Sequence, residues 1–286
     1  MKNIIKFIIA IAIAFNLSSC LKDKDLIGPD ADGAISNIIE FGNVSAPTTG
    51  VTSTIPGYSL AFDIAPTGTL ELKVQSVGAE KATEDIKVSV ALNNGLLAKF
   101  NEENEEHYEP LPSSQYALGS MEATIKKGER TAIIPIALKP DQFTFDKPYA
   151  LGFTITSSSA GQISANFSNI VINIGAKNPY DGTYDYSTSA ITSLAPNKKS
   201  TVKLVTVGPN RVKLSPGLLA TYSNEVFYNI DPATMAVTVE CPSLGVQTPQ
   251  DTRSKYDPAT KTLKVYWKQG NGGRTFEETF VYIGPR

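Results

Sequence analysis

His107 is the single histidine in the 286 residues, and it ends the acidic stretch Glu102-Glu103-Asn104-Glu105-Glu106. One imidazole without a second histidine or a nearby cysteine does not make a zinc or copper ligand set. No Gly-x-Ser-x-Gly elbow accompanies it, so a Ser-His-Asp relay is not expected either. The charge run reads as a solvated helix face and loop. Asp30-Ala31-Asp32-Gly33 has the opening of a calcium loop, but the remaining spacing and closing glutamate are missing, so it reads as a turn. Adjacent Glu277 and Glu278 would point to opposite faces of a strand, which does not suit an acid/base couple. No catalytic residue, metal or cofactor is expected. Aromatic rings remain, because a sugar offers apolar C–H faces to an exposed ring. Trp267 is the only tryptophan; Tyr256 and Tyr266 lie near it, with Tyr222 and Tyr228 upstream. These five are the candidate ligand-binding residues. Trp267 is in phase with Leu263 and Val265, which should face a core. Tyr266 shares the other face with Lys264 and Lys268 and is the leading platform. A one-residue register slip would exchange the two.

The N-terminus carries a different chemistry. Lys2 and Lys6 precede and enter an apolar run from Ile4 to Ala14, followed by Leu17-Ser18-Ser19-Cys20. A charged head, a short apolar core and small residues make a secretory signal. The run is shorter than the ~20 residues of a spanning helix. With cysteine directly after the small residues, the segment resembles the lipobox of bacterial lipoproteins. That resemblance implies cleavage before Cys20, a thioether-linked diacylglycerol on its sulfur and an acyl group on its amine. Each buried methylene adds ~0.8 kcal/mol, and stable anchoring takes more than one chain. Leu21-Lys22-Asp23-Lys24-Asp25 reads as a flexible tether. It is similar to the acidic export signals of Bacteroidetes surface lipoproteins, with two lysines interrupting the acids. The resemblance implies an outer-membrane protein and favours surface exposure, with a periplasm-facing lipoprotein as the alternative.

The formal charge is −2, and loss of Lys2 and Lys6 takes the mature chain to about −4. A mildly acidic chain with no basic run argues against nucleic acid as a partner. Only Cys241 remains after acylation of Cys20, so no intramolecular disulfide can form. Cys241 reads as a small buried residue at a strand end.

From about Ile35 the chain alternates. Ile86, Val88 and Val90; Ala132, Ile134, Ile136 and Leu138; Leu151, Phe153 and Ile155; and Ile170, Ile172 and Ile174 each mark one face of a strand. Such patterning predicts half-buried antiparallel strands. Pro135 places its strand at an edge or bulge. One short helix is predicted within Gly95 to Glu106, with Leu96, Leu97 and Phe100 on its inner face. The expected fold is all-β, with an immunoglobulin-like β-sandwich first. Leu96-Leu97-Ala98-Lys99-Phe100-Asn101, His107-Tyr108-Glu109-Pro110-Leu111-Pro112, Gln115-Tyr116, Ile125 to Glu129 and Tyr149-Ala150-Leu151 together resemble one family. It is the N-terminal domain of many Bacteroidetes surface lipoproteins. That domain often precedes a carbohydrate-active or carbohydrate-binding module, family 18 glycoside hydrolases included. The resemblance implies a sandwich that presents its neighbour, and it implies no catalytic residues.

Asn178-Pro179-Tyr180-Asp181-Gly182 holds two turn dipeptides and marks a second domain. There Tyr228-Asn229-Ile230-Asp231-Pro232-Ala233-Thr234 is echoed by Tyr256-Asp257-Pro258-Ala259-Thr260, each followed by a strand pattern. Both echoes predict β-hairpins turning on Asp-Pro. A third turn, Gly270 to Gly273, precedes the last strand, Thr275 to Ile283. The expected architecture is a small antiparallel barrel or lipocalin-like domain, since closure removes exposed edges. The division is therefore 1–19 signal peptide, 20–34 lipidated tether, 35–176 sandwich and 178–286 barrel. The leading function is a non-enzymatic, lipid-anchored protein that binds or captures glycan. The alternatives are a structural or adhesive component with outer-membrane protein partners and, third, a glycosidase.

Overall fold

The computed structural model describes residues 37–286 except 51, 52, 79, 80 and 146. Cys20, the tether and the Asp30-to-Gly33 turn lie outside the described residues. The described chain is all-β.

Alternation builds two facing sheets. One runs β10 (Gln162–Ile163), β1 (Ile38–Phe41), β3 (Gly68–Val77), β8 (Thr131–Leu138), β6 (Tyr116–Leu118). The other runs β2 (Gly57–Asp63), β11 (Asn169–Lys177), β9 (Tyr149–Ser158), β4 (Ile86–Leu92), β7 (Glu122–Ile125), with β5 (Glu109–Pro110) beside β9. Except for Ala132, which is half-buried and packs against them, the residues of the four predicted inward series are all buried and share one core. Each such side chain contributes roughly 1.5–3 kcal/mol through burial. Pro135 pairs with Glu71 on one side, and β6 reaches only as far as Ile136 on the other. The strand therefore has an open edge beside the residue without an N–H.

Strand direction departs from the expectation. β2 runs parallel to β11 from Gly57↔Val171 to Asp63↔Lys177, and the β1–β10 and β5–β9 pairs are parallel too. Alternation sets which face a residue takes, and both directions share that period. The predicted helix is α1 (Leu96–Asn104), with Leu97 and Phe100 buried against Ile55, Ala150 and Val171. It covers the outer face of β9 and β11, so the small residues between the alternating apolar ones are also buried. Gly152 lies under its start, where a Cβ would stand 2.4 Å from the Asn93 carbonyl oxygen.

The sheets change over at Asn178, which is 3 % exposed. Its amide nitrogen donates to the Gly208 and Arg211 carbonyls (2.9 and 3.0 Å), and its oxygen accepts from the Tyr180 N–H (3.1 Å). Asp181 Oδ2 accepts from the Thr206 N–H (2.7 Å) and hydroxyl (2.8 Å). The junction is thus bonded to the second body.

That body is a meander of eight strands: β12 (Gly182–Thr188), β13 (Lys199–Gly208), β14 (Arg211–Ser215), β15 (Phe227–Ile230), β16 (Val237–Glu240), β17 (Lys255–Asp257), β18 (Thr262–Lys268) and β19 (Thr275–Gly284). β19 returns to pair antiparallel with β12. The ring nearly closes between β16 and β17, through an Ala236↔Lys255 bridge and a 3.0 Å bond from the Val237 N–H to the Ser254 carbonyl. Farther along that seam, Gln250 acts as a strand. Its amide nitrogen donates to the Val239 carbonyl (2.9 Å) and its oxygen accepts from the Val239 N–H (2.7 Å).

Both Asp-Pro-Ala-Thr segments turn hairpins, β15–β16 and β17–β18. Asp231 accepts from the Ala233 N–H (2.8 Å) and Asp257 from the Ala259 N–H (3.0 Å), the side-chain turn that aspartate favours. The residue after each threonine, Met235 (φ 58°) or Lys261 (φ 48°), is left-handed. The barrel interior is a packed core of Tyr184, Tyr186, Tyr228, Trp267, Phe276 and Phe280 among aliphatic side chains. Cys241 belongs to it, 2 % exposed.

Candidate functional site

Glu278 faces inward from β19 and is 1 % exposed. Its Oε1 accepts from the Tyr186 hydroxyl (2.7 Å); Oε2 accepts from Trp267 Nε1 (2.9 Å) and the Tyr228 hydroxyl (3.1 Å). Burial pushes the carboxyl above its ordinary range, and the three donors pull against that shift. Burial and the adjacent carboxylate also keep Tyr186 and Tyr228 in the phenol form. Trp267 stacks on Phe276 at 4.1 Å and Phe280 closes over Tyr228 at 5.2 Å. This network ties four strands together within the core. Glu278 meets phenols and an indole in place of a second carboxylate, and Glu277 faces outward as the strand period requires.

The structure separates the five aromatic candidates. Tyr228 (0 % exposed) and Trp267 (3 %) have their rings in the barrel core, so neither offers a face to a ligand. Tyr266 points outward as expected, but the Arg253 guanidinium covers its ring at 4.3 Å. Asp251 holds that guanidinium at 2.6 and 3.0 Å, and the bond keeps its own carboxyl below the usual range. Tyr266 is therefore half of an arginine–tyrosine stack, not a bare platform. A recess of about 230 Å³ lies beside it, lined by Gln247, Asp251, Lys268 and Glu277 among others. Tyr222, 39 % exposed, stands on the β14–β15 connection at the barrel end away from the junction.

Tyr256 has the most informative position. It borders a cleft of about 970 Å³ between the outer face of β2 and the junction end of the barrel. Ser59, Ala61 and Asp63 form the sandwich wall; Tyr180, Tyr256 and Tyr282 stand on the barrel side. Tyr180 meets Tyr256 edge-on at 4.8 Å. Gly182 seats the third ring, since a Cβ there would stand 2.4 Å from Tyr282 Cε2. Tyr180 and Tyr256 are 5 % and 6 % exposed, yet none of the three hydroxyls has a hydrogen-bond partner among the described residues. Burial raises the Tyr180 and Tyr256 phenols above their ordinary range, so both remain donors at neutral pH. Lys177 pairs with Asp63 (3.6 Å) and Arg286 with Asp181 (2.7 Å) at the rim. Buried rings with free hydroxyl tips, set between two bodies, suit a ligand rich in hydroxyls. Sequence reasoning missed Tyr180, Tyr282 and the sandwich wall, because the cleft joins residues over 200 positions apart in the chain.

The architecture is a β-sandwich followed by an eight-stranded barrel, and comparisons with known proteins agree with it. Residues 182–284 match the family model described as a domain of unknown function (DUF7015). Residues 45–162 match a second model, described as an N-terminal domain. No curated protein matches the chain. Two solved Bacteroides ovatus proteins of unknown function are similar. One has a TM-score of 0.54 at 11 % identity, covering 87 % of this chain and 95 % of that one. The other has a TM-score of 0.53 at 13 % identity, covering 86 % and 93 %. An auxiliary nutrient binding protein from Bacteroides thetaiotaomicron gives 0.48 at 11 % identity, over 84 % and 93 %. At these identities the likeness is one of fold.

Proposed function

We propose that this chain is a lipid-anchored, surface-exposed outer-membrane protein that captures glycan in the cleft between sandwich and barrel, without catalysing a reaction. The observation that carries the reading is the set of three tyrosines with hydroxyls unpartnered among the described residues, lining a cleft of about 970 Å³. A sugar supplies acceptors for those hydroxyls and C–H faces for the rings. The immunoglobulin-like sandwich holds the barrel away from the membrane and contributes one wall.

A glycan array probed with residues 23–286 tests the binding. Tyr256→Phe keeps the ring and removes one donor. It should weaken binding of an array hit about tenfold, the ~1.4 kcal/mol of a hydrogen bond, at an unchanged melting temperature. Parent-like affinity in this variant would move the site elsewhere. Cys20→Ala should abolish processing at the lipobox and release the protein from membranes. Metabolic labelling with an acyl probe reads this out, and continued labelling of the variant would sink the anchor.

A second reading, an adhesive or structural component, is favoured by one observation. The barrel end away from the junction exposes Ile191 (63 %), Leu194 (50 %) and Tyr222 (39 %). A blank array together with a protein partner cross-linked through these residues would favour it.

A further inference from the structure

We infer that the two Asp-Pro-Ala-Thr turns are jaws of the cleft, and that Lys261 sets it to take an acidic sugar. The inference rests on the reading that the cleft binds glycan. The two hairpins are separate in sequence, yet the residue after each threonine lines this cleft: Met235 from one, Lys261 from the other. Both are left-handed, with φ of 58° and 48°. Glycine or asparagine takes that conformation at least cost. The strained residue of each turn is the one that lines the cleft.

The two jaws differ in chemistry. Met235 offers an adaptable apolar thioether, suited to a C–H face. Lys261 offers charge. The cleft has five charged side chains: Asp63, Lys177, Asp181, Lys261 and Arg286. Four neutralise one another in the two rim pairs. Lys261 is in no ion pair among the described residues, and its Nζ lies 4.6 Å from the centre of the Tyr282 ring. Lys261 is thus the one charge of the cleft lining without an ion-pair partner among the described residues, and the turn carboxylates Asp231 and Asp257 lie near enough to act on the Tyr180 and Tyr256 phenols. An anionic group on a bound sugar would meet an ammonium already oriented by an aromatic face, beside free phenol donors. Carboxylate and sulfate share this chemistry.

Calorimetry with three probes tests the inference: a hexamer of galacturonic acid, a sulfated heparin hexasaccharide and neutral mannohexaose. At least one acidic hexamer should bind ten times or more tightly than the neutral one, and less tightly as salt rises. Whichever binds identifies carboxylate or sulfate as the preferred group. Lys261→Gln should erase the preference and leave the weaker neutral binding in place. Lys261→Asn should melt at or above the parent temperature while losing acid binding, so that stability and affinity move apart. A neutral hexamer that binds as well as the acids, with Lys261→Gln changing neither, would overturn the inference and leave the glycan reading standing. A blank array and no binding by any hexamer would remove both.

Discussion

Glu278→Ala should destabilise the barrel by about 3–5 kcal/mol, because it opens a core cavity and strands three donors at once. Glu278→Gln should behave differently. Its amide oxygen can accept from Trp267 and Tyr228, while its nitrogen donates to a rotated Tyr186 hydroxyl. The wild-type carboxyl is raised on folding, with burial as the main cause. Above the unfolded value of about 4.3, the folded chain therefore holds more proton than the unfolded one. Stability from this group is greatest below that value, falls as pH rises through the window up to the raised folded value, and then stays at the lower level. Glutamine cannot ionise, so its melting temperature should lack this fall and should match or exceed the parent's at neutral pH. Melts of parent, Glu278→Gln and Glu278→Ala from pH 4 to 8 decide it. Parent and glutamine curves that stay parallel throughout would refute the assignment.

Trp267→Ala should cost a similar ~3–5 kcal/mol. The ring stacks on Phe276 with its plane 19° from parallel, and its N–H ends on Glu278. The two residues share a bond, so the double variant should cost less than the sum of the singles. Tyr266→Ala gives the contrast. It removes a half-buried ring and the seat of the Arg253 guanidinium on the barrel's outer surface, and its melt should stay close to the parent's. A Trp267→Ala protein that melts with the parent would show that the indole does not anchor the core.

Face and turn were readable in the amino-acid order. Leu263, Val265 and Trp267 stood in phase and are buried together; Asp-Pro-Ala-Thr announced two hairpins, and both are present. These features depend on residues within a few positions of one another. The parallel run of β2 along β11 was not readable, because it pairs residues more than 100 positions apart and leaves the alternation unchanged. The same holds for the cleft, whose wall and floor come from distant segments, and for Arg253, which reaches Tyr266 across a loop. Glu278 did leave a signal. It shares an inward phase with Phe276 and Phe280, and an acid between two core aromatics on one face implies buried donors to receive it. The phase marks the acid as inward-facing, while its donors come from three other strands.

Gln250 gives the barrel a latch. Where strand pairs with strand, opening requires neighbouring ladder bonds to break together, so those stretches resist as a unit. At Val239 both peptide groups are held by one side chain that turns about its own bonds. A rotation of that glutamine frees them without moving a strand. The seam beside Val239 can therefore loosen on the timescale of a side chain, while the Ala236–Lys255 bridge and the Val237–Ser254 bond keep the ring together.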